Sequence, residues 1–169
     1  MPSGPAATVL QFRRAMDGLD TPAVTTILLA NNDQQPIVKQ TQHLADALAH
    51  LRKALSQAFG ARAQSMLDRP AEPLKEQING DAAIVTTPDG QVHLIKVLGQ
   101  WRIPIKEKKI DQIQERAAQL QVLAEAIEGI AQETESGEFD NVEEAARATQ
   151  EELMRGRQIA RAATTQTNQ

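Results

Sequence analysis

The chain has 169 residues and a net charge of −4, with 18 Lys and Arg residues scattered among 22 Asp and Glu residues. It has one Trp, three Phe and no Tyr, so it offers neither the basic surface nor the stacking side chains that nucleic-acid binding uses. The absence of Cys excludes disulfides, thiolate metal sites and cysteine nucleophiles. We therefore expect an aliphatic core and no nucleic-acid partner.

No stretch approaches the roughly 18 consecutive apolar residues of a spanning helix, so the sequence predicts no membrane span. The start, MPSGPAATVLQF, has no basic region followed by a long apolar run. The compartment stays open between two alternatives. One is an exported or periplasmic protein whose signal or anchor was trimmed before Met1, and the other is a cytoplasmic protein.

The N-terminal third predicts three helices. Apolar residues recur every three or four positions from Pro5 to Met16, and Gly18 ends that segment. Thr21-Pro22 is typical of the start of a second short helix. A longer helix from Pro36 to Phe59 carries a leucine stripe on one face. Residues 61–80 are predicted to form a broken connection with room for one or two helical turns.

The middle of the chain predicts a small sheet. Three β-prone segments, Ala82–Thr87, Val92–Leu98 and Trp101–Ile105, are separated by turn signals. They predict a three-stranded antiparallel meander, which must pack against helices because so small a sheet is not stable alone.

The C-terminal third carries two heptad seams, defined as apolar or small residues at steps of three and four. The first seam is Ile110, Ile113, Ala117, Leu120, Ala124, Ile127, Ala131 and Thr134. The second is Val142, Ala146, Thr149, Leu153, Gly156, Ala160 and Ala163. The short link between them favours an antiparallel helical hairpin. The sequence thus predicts a predominantly helical α+β domain at 1–105, a hairpin appendage at 106–165 and a disordered tail at 166–169.

Two groups of residues resemble one known superfamily. The first group is Val9, Phe12, Ala15, Gly18, Asp20, Val24, Ile27 and Leu28. The second is Gly80-Asp81-x-Ala83-x-Val85 with Val92-x-Leu94-x-Lys96-x-x-Gly99-x-Trp101-Arg102-Ile103. They are similar to the nuclear-transport-factor-two-like superfamily, the cone-shaped fold shared with ketosteroid-isomerase-like proteins, and to its small bacterial lipoprotein-like members. The resemblance implies a curved sheet that cradles helices around a pocket, and it carries over no catalytic residue.

One polar helix face has the residue types of a metal site. His43, Asp46 and His50 stand at i, i+3 and i+7, and imidazole with carboxylate suits zinc. Nearby Lys39 and Lys53 would repel a cation, however. We therefore interpret the face as solvated, with Asp46 and His50 as an ordinary i, i+4 pair, and expect no metal.

His93, Ile95 and Trp101 are the candidate ligand-binding residues. A His on the concave side of a cone fold could act as an acid or base near neutral pH, but a buried His satisfied by backbone is the more common case. Trp101 is interpreted mainly as the apolar anchor of the sheet.

No catalytic residue and no cofactor are predicted, because no dinucleotide, phosphate-loop, serine-hydrolase or zincin motif occurs. Two functional hypotheses remain. The favoured one is a non-catalytic binding or assembly module that meets a protein partner or a second copy through residues 106–165. The alternative is a small cone-fold ligand-binding protein, or an isomerase-like or dehydratase-like enzyme, with a pocket lined by His93.

Overall fold

The computed structural model describes residues 3–68 and 73–167. The helices are α1 (Pro5–Met16), α2 (Ala23–Ile27), α3 (Gln35–Phe59), α4 (Ala61–Leu67), α5 (Ile110–Glu135) and α6 (Val142–Thr167). The strands are β1 (Leu28–Leu29), β2 (Lys75–Asn79), β3 (Ala82–Thr87), β4 (Gly90–Val97) and β5 (Gln100–Pro104). The described residues therefore form an α+β fold with one sheet. None of the helices in the described part of the chain is long and apolar enough to cross a membrane.

Proline and glycine define the ends of the N-terminal helices. Pro5 begins α1, and Pro36 lies in the first turn of α3, where a missing N–H costs no helical hydrogen bond. Gly60 ends α3 with a φ of +64°, a conformation that favours glycine. The predicted helices at residues 5–16 and 36–59 are confirmed.

The sheet has five strands in the order β1-β5-β4-β3-β2, and the β1–β5 pair is parallel. The predicted three-stranded antiparallel meander is therefore wrong. Every side chain of β2 is exposed, so this strand has no hydrophobic alternation to detect, although it pairs with β3 over its full length. The strand β1 is only two residues long, and Leu28 lies opposite Ile103.

The two faces of the sheet differ in burial. On one face, Ala83 lies opposite Leu94 and Val85 opposite Val92, and these residues pack with Val9 of α1. On the other face Ile84 lies opposite His93. Since the buried residues alternate with exposed ones along β3 and β4, only the first face packs on the helices.

The α5 helix packs most extensively on α3. Seven of the eight residues of the first seam are buried, whereas Ile110 is 64% exposed. The α6 helix also packs on α5, but less extensively than α3 does. The two helices joined by the short link are therefore neighbours, and the pairing of the two seams with each other stays a prediction.

The helices α3 and α5 run in the same direction. At the start of α3 the buried Gln34 side chain donates hydrogen bonds to the carbonyls of Ile105 and Glu107, at 3.3 and 2.7 Å. Further along, His50 contacts Glu128. Gln34 therefore fixes the beginning of α3 to the segment that leads into α5.

The α6 helix begins against the same core and continues beside α5. Val142 and Ala145 are buried, and Leu153 packs on the core while partly buried. The helix extends to Thr167, and residues 168 and 169 of the predicted disordered tail lie outside the described residues. One buried cluster contains side chains from both α3 and α5. The domain boundary at residue 105 stays a prediction.

Candidate functional site

An apolar groove of ≈ 600 Å³ lies between α1, α3, α5, α6 and the β1–β5 edge of the sheet. We call this cavity the groove. Large side chains of four of these elements line it and are only partly buried, although they pack on the main core; they are Phe12, Met16, Ile103, Leu123 and Leu153. Buried side chains also line it, among them Ile37, Leu44 and Leu120. The groove therefore exposes part of the hydrophobic core to solvent.

The charged side chains that line the groove are Lys106, Glu107 and Arg116. Lys106 and Arg116 are exposed and make no ion pair with any residue that the structure describes. Because the apolar side chains are buried or half-buried and these cations are exposed, the cations lie toward solvent. The arrangement suits an apolar chain that ends in an anionic group.

Among the described residues that line the groove, the residue types of acid–base or nucleophilic catalysis include Glu107 and Thr41. The lining contains no His, Ser or Cys among the described residues, and its hydroxyl, Thr41, donates to the Ile37 carbonyl at 2.7 Å. A nucleophile needs a base within hydrogen-bond reach, and Thr41 has no such neighbour.

The structure does not bring the three sequence-predicted ligand residues together. His93 is exposed and Ile95 is 41% exposed, both on the face of the sheet opposite the helices. Trp101 lies opposite Lys96 in the β4–β5 pair and therefore belongs to the other face. None of the three lines the groove.

Trp101 instead lines a second cavity of ≈ 610 Å³, which we call the Trp101 cleft. The cleft lies between α1, the end of α2 and the turn of the β4–β5 hairpin. Trp101 is half-buried there and packs against the small cluster of the sheet's inner face. Its predicted role as an apolar anchor is consistent with these contacts, but part of the indole faces the cavity.

The polar face of α3 differs from the sequence-based interpretation, in which Asp46 and His50 form a pair. Gln42 donates to Asp46 at 3.0 Å, and His43 contacts Gln40 of its own helix. His50 does not pair with Asp46 but bridges α3 to α5, with Nδ1 donating to Glu128 and Nε2 donating to Glu135. The proposed i, i+4 pair is wrong because two carboxylates on α5 lie closer to the imidazole.

The two carboxylates affect the charge of His50. Hydrogen bonds to Glu135 and then Glu128 raise the pKa of His50, and partial burial acts in the opposite direction. Both ring nitrogens face carboxylate oxygens, so the doubly protonated imidazolium fits this position. His50 therefore links α3 to α5, and the two carboxylates favour its protonated form.

This link should make stability depend on pH. A raised folded-state pKa means that the stabilisation by His50 is fully present below the unfolded pKa of about 6.5 and is lost as pH rises through the folded pKa. We expect the stability difference between wild type and His50→Gln to shrink with rising pH, as measured by urea unfolding at a series of pH values. His43→Gln is the control, because His43 is exposed and contacts only its own helix. A difference that does not change with pH would contradict the link.

Sequence patterns contained part of the information needed to identify the residues of the groove and the residues that contact His50. Leu123 is a large apolar residue beside the first seam, and Glu128 and Glu135 are seven positions apart, which places them on one helix face. Their partner His50 comes 78 positions before Glu128. No local period connects residues so distant, and Arg116 carries no pattern at all.

Comparison of the chain with protein-family models, with curated proteins and with solved structures gave no match.

Proposed function

We propose that this protein is a non-catalytic binding protein whose groove holds the apolar chain of an amphipathic anion. The observation that carries this proposal is an apolar lining of ≈ 600 Å³ with Lys106 and Arg116 on its solvent side. Cavities of this size commonly hold small ligands. A medium-chain fatty acid has the matching chemistry, because it combines an aliphatic chain with one carboxylate.

The resemblance to the nuclear-transport-factor-two-like superfamily is part of the same proposal. That fold implies helices and a sheet around a pocket. The order of two helices, the short strand β1, the long helix α3, the short helix α4 and then the other four strands, with a groove beside β5, supports it.

The test is binding of dodecanoate, kept below its micelle concentration, measured by isothermal titration calorimetry and by thermal unfolding. Saturable binding should raise the unfolding temperature through mass action. Gly156 lines the groove on α6, with Leu123 3.4 Å from the position of an added Cβ. Gly156→Leu should therefore fill the groove and weaken dodecanoate binding by at least about tenfold.

Two controls separate groove filling from other effects. Gly129→Leu places the same side chain on α5, where no atom lies within 4 Å of an added Cβ, and it should leave the affinity unchanged. Arg116→Gln should weaken dodecanoate binding about two- to fivefold, the usual size for an exposed ion pair. Equal binding by wild type and Gly156→Leu, or no binding by wild type, would overturn the proposal.

Association through residues 106–165 is the second candidate function. It is favoured by large apolar side chains exposed in this region, among them Val122 at 51% on α5 and Met154 at 59% on α6. Exposed apolar side chains favour association, because contact with a second chain removes them from water. Sedimentation velocity should show a larger species with rising concentration, and Val122→Glu with Met154→Glu should remove it. Leu19→Glu, at another exposed apolar residue, is the matched control. A monomer at all concentrations would count against self-association.

A further inference from the structure

The Trp101 cleft has a different chemistry from the groove. The two cavities share no lining residue. The cleft is lined by one charged side chain, Lys96, and by the neutral polar residues Ser3, Thr8, Gln11, Thr26 and Gln100. Its apolar surface comes from Ile27 and from the indole of Trp101.

Lys96 is a cation available to a ligand. Its Nζ lies 5.7 Å from the centroid of the Trp101 ring, and the described part of the chain provides no carboxylate to pair with it. A cation held over an indole keeps donors directed toward solvent or a ligand. One positive charge and no negative charge in the lining favour an anion of single charge, since a phosphate dianion would be only half neutralised.

The remaining lining favours a flat, partly polar body. Aromatic rings pack on an indole in offset or edge-to-face arrangements that aliphatic chains cannot use. The Thr8 and Thr26 hydroxyls donate to backbone carbonyls at 2.9 Å, and the Gln11 amide donates to Asp20. The Gln100 side chain makes no hydrogen bond to a described residue, so it can bind a polar ring substituent.

From these contacts we infer that the Trp101 cleft is a second binding site, specific for a small aromatic carboxylate. Lys96 binds the carboxylate, and the ring packs against Trp101 and Ile27. This site is independent of the groove and of the fatty-acid proposal.

The chain provides its own probe for this site. Trp101 is the only Trp and there is no Tyr, so intrinsic fluorescence excited at the indole band reports on the cleft. Benzoate should change the fluorescence saturably, and calorimetry should give the same affinity. Benzamide has the same shape without the charge and should bind about two- to fivefold more weakly, because its carbonyl can accept a hydrogen bond from Lys96 but has no opposite charge to attract it. Acetate has the charge without the ring and should also bind more weakly.

Variants at position 96 provide the decisive comparison. Lys96→Gln should weaken benzoate binding about two- to fivefold, the usual size for an exposed ion pair, while Lys96→Arg, which keeps the charge, should largely retain it. Lys53→Gln, at an exposed Lys of α3, and Arg116→Gln, in the groove, should leave benzoate affinity unchanged. Circular dichroism and thermal unfolding of each variant check that the fold is intact. Equal affinity for benzoate and benzamide, equal affinity of wild type and Lys96→Gln, or no saturable binding of benzoate by either method would overturn the inference.

Discussion

Ile127→Ala should lower the free energy of unfolding by about 2–5 kcal/mol, the range for truncating a buried Ile to Ala. Ile127 is 0% exposed and belongs to the core cluster that α5 shares with α3. The cost combines the lost burial of the aliphatic side chain with the cavity left between two helices that cannot easily close it. Urea unfolding followed by circular dichroism measures this change.

The same substitution at Ile110 is the matched control. Ile110 occupies the first position of the same seam but is 64% exposed, so Ile110→Ala should change stability by at most about 0.5 kcal/mol. Similar losses in both variants would mean that the exposed and buried ends of the seam are equivalent, which would contradict the α3–α5 interface described above.

Gly18→Ala should destabilise the protein by about 2–5 kcal/mol, since two costs add. Gly18 has a φ of +79°, which costs a residue with a Cβ about 1–2 kcal/mol. An added Cβ would also lie 2.6 Å from the Cα and N of Ala49 on α3, and overpacking of that kind costs about 1–3 kcal/mol more. Backbone atoms cannot rotate away as a side chain could, so the turn after α1 would have to move off α3.

Gly137→Ala separates these two costs. Gly137 follows α5 with a similar φ of +76°, but no atom lies within 4 Å of an added Cβ. Its loss of stability should therefore be close to the conformational cost alone, about 1–2 kcal/mol. Equal thermal and urea stabilities of the two variants would show that the contact with Ala49 is absent in solution.

Local sequence patterns predicted the helices well, because the signals that begin and end a helix lie within a few residues of the helix itself. The periodicity that begins at Pro5 and the proline at position 36 both act within one or two helical turns. The first seam of α5 was also recognised residue by residue, with the exception of Ile110. Its partner was not, because a heptad period shows that a face is buried without showing what buries it.

The errors in the sheet have a related cause. A strand is recognised by the alternation of its side chains, and β2, with the sequence KEQIN, has every side chain exposed. What holds β2 in the sheet is backbone pairing, such as that between Gln77 and Ile84. Backbone hydrogen bonds are the same for every residue type, so they leave no trace in the sequence.

The candidate sites were the least predictable part of the molecule. The groove needs residues from α1, α3, α5, α6 and the sheet, and no segment of the chain contains more than a few of them. Trp101 was identified as a candidate because it is chemically rare, and His93, which was grouped with it, lies on the opposite face of the sheet. Alternation along β4 does separate His93 from Lys96, but the pairing of Lys96 with Trp101 depends on where the hairpin turns.

The pairing of α3 with α5 has a consequence during synthesis of the chain. About 75 residues separate the end of α3 from the end of α5, so a ribosome that adds about 5–20 residues per second leaves α3 without its partner for roughly 4–15 s. During that interval the nascent chain carries an uncovered aliphatic stripe, formed by residues such as Leu44, Leu51 and Leu55. A ribosome-bound chain stalled with residue 105 outside the exit tunnel should be cleaved by protease within α3, while a chain released at full length should not. We expect chaperones that bind aliphatic segments to compete with α5 for this stripe until the last third of the protein has emerged.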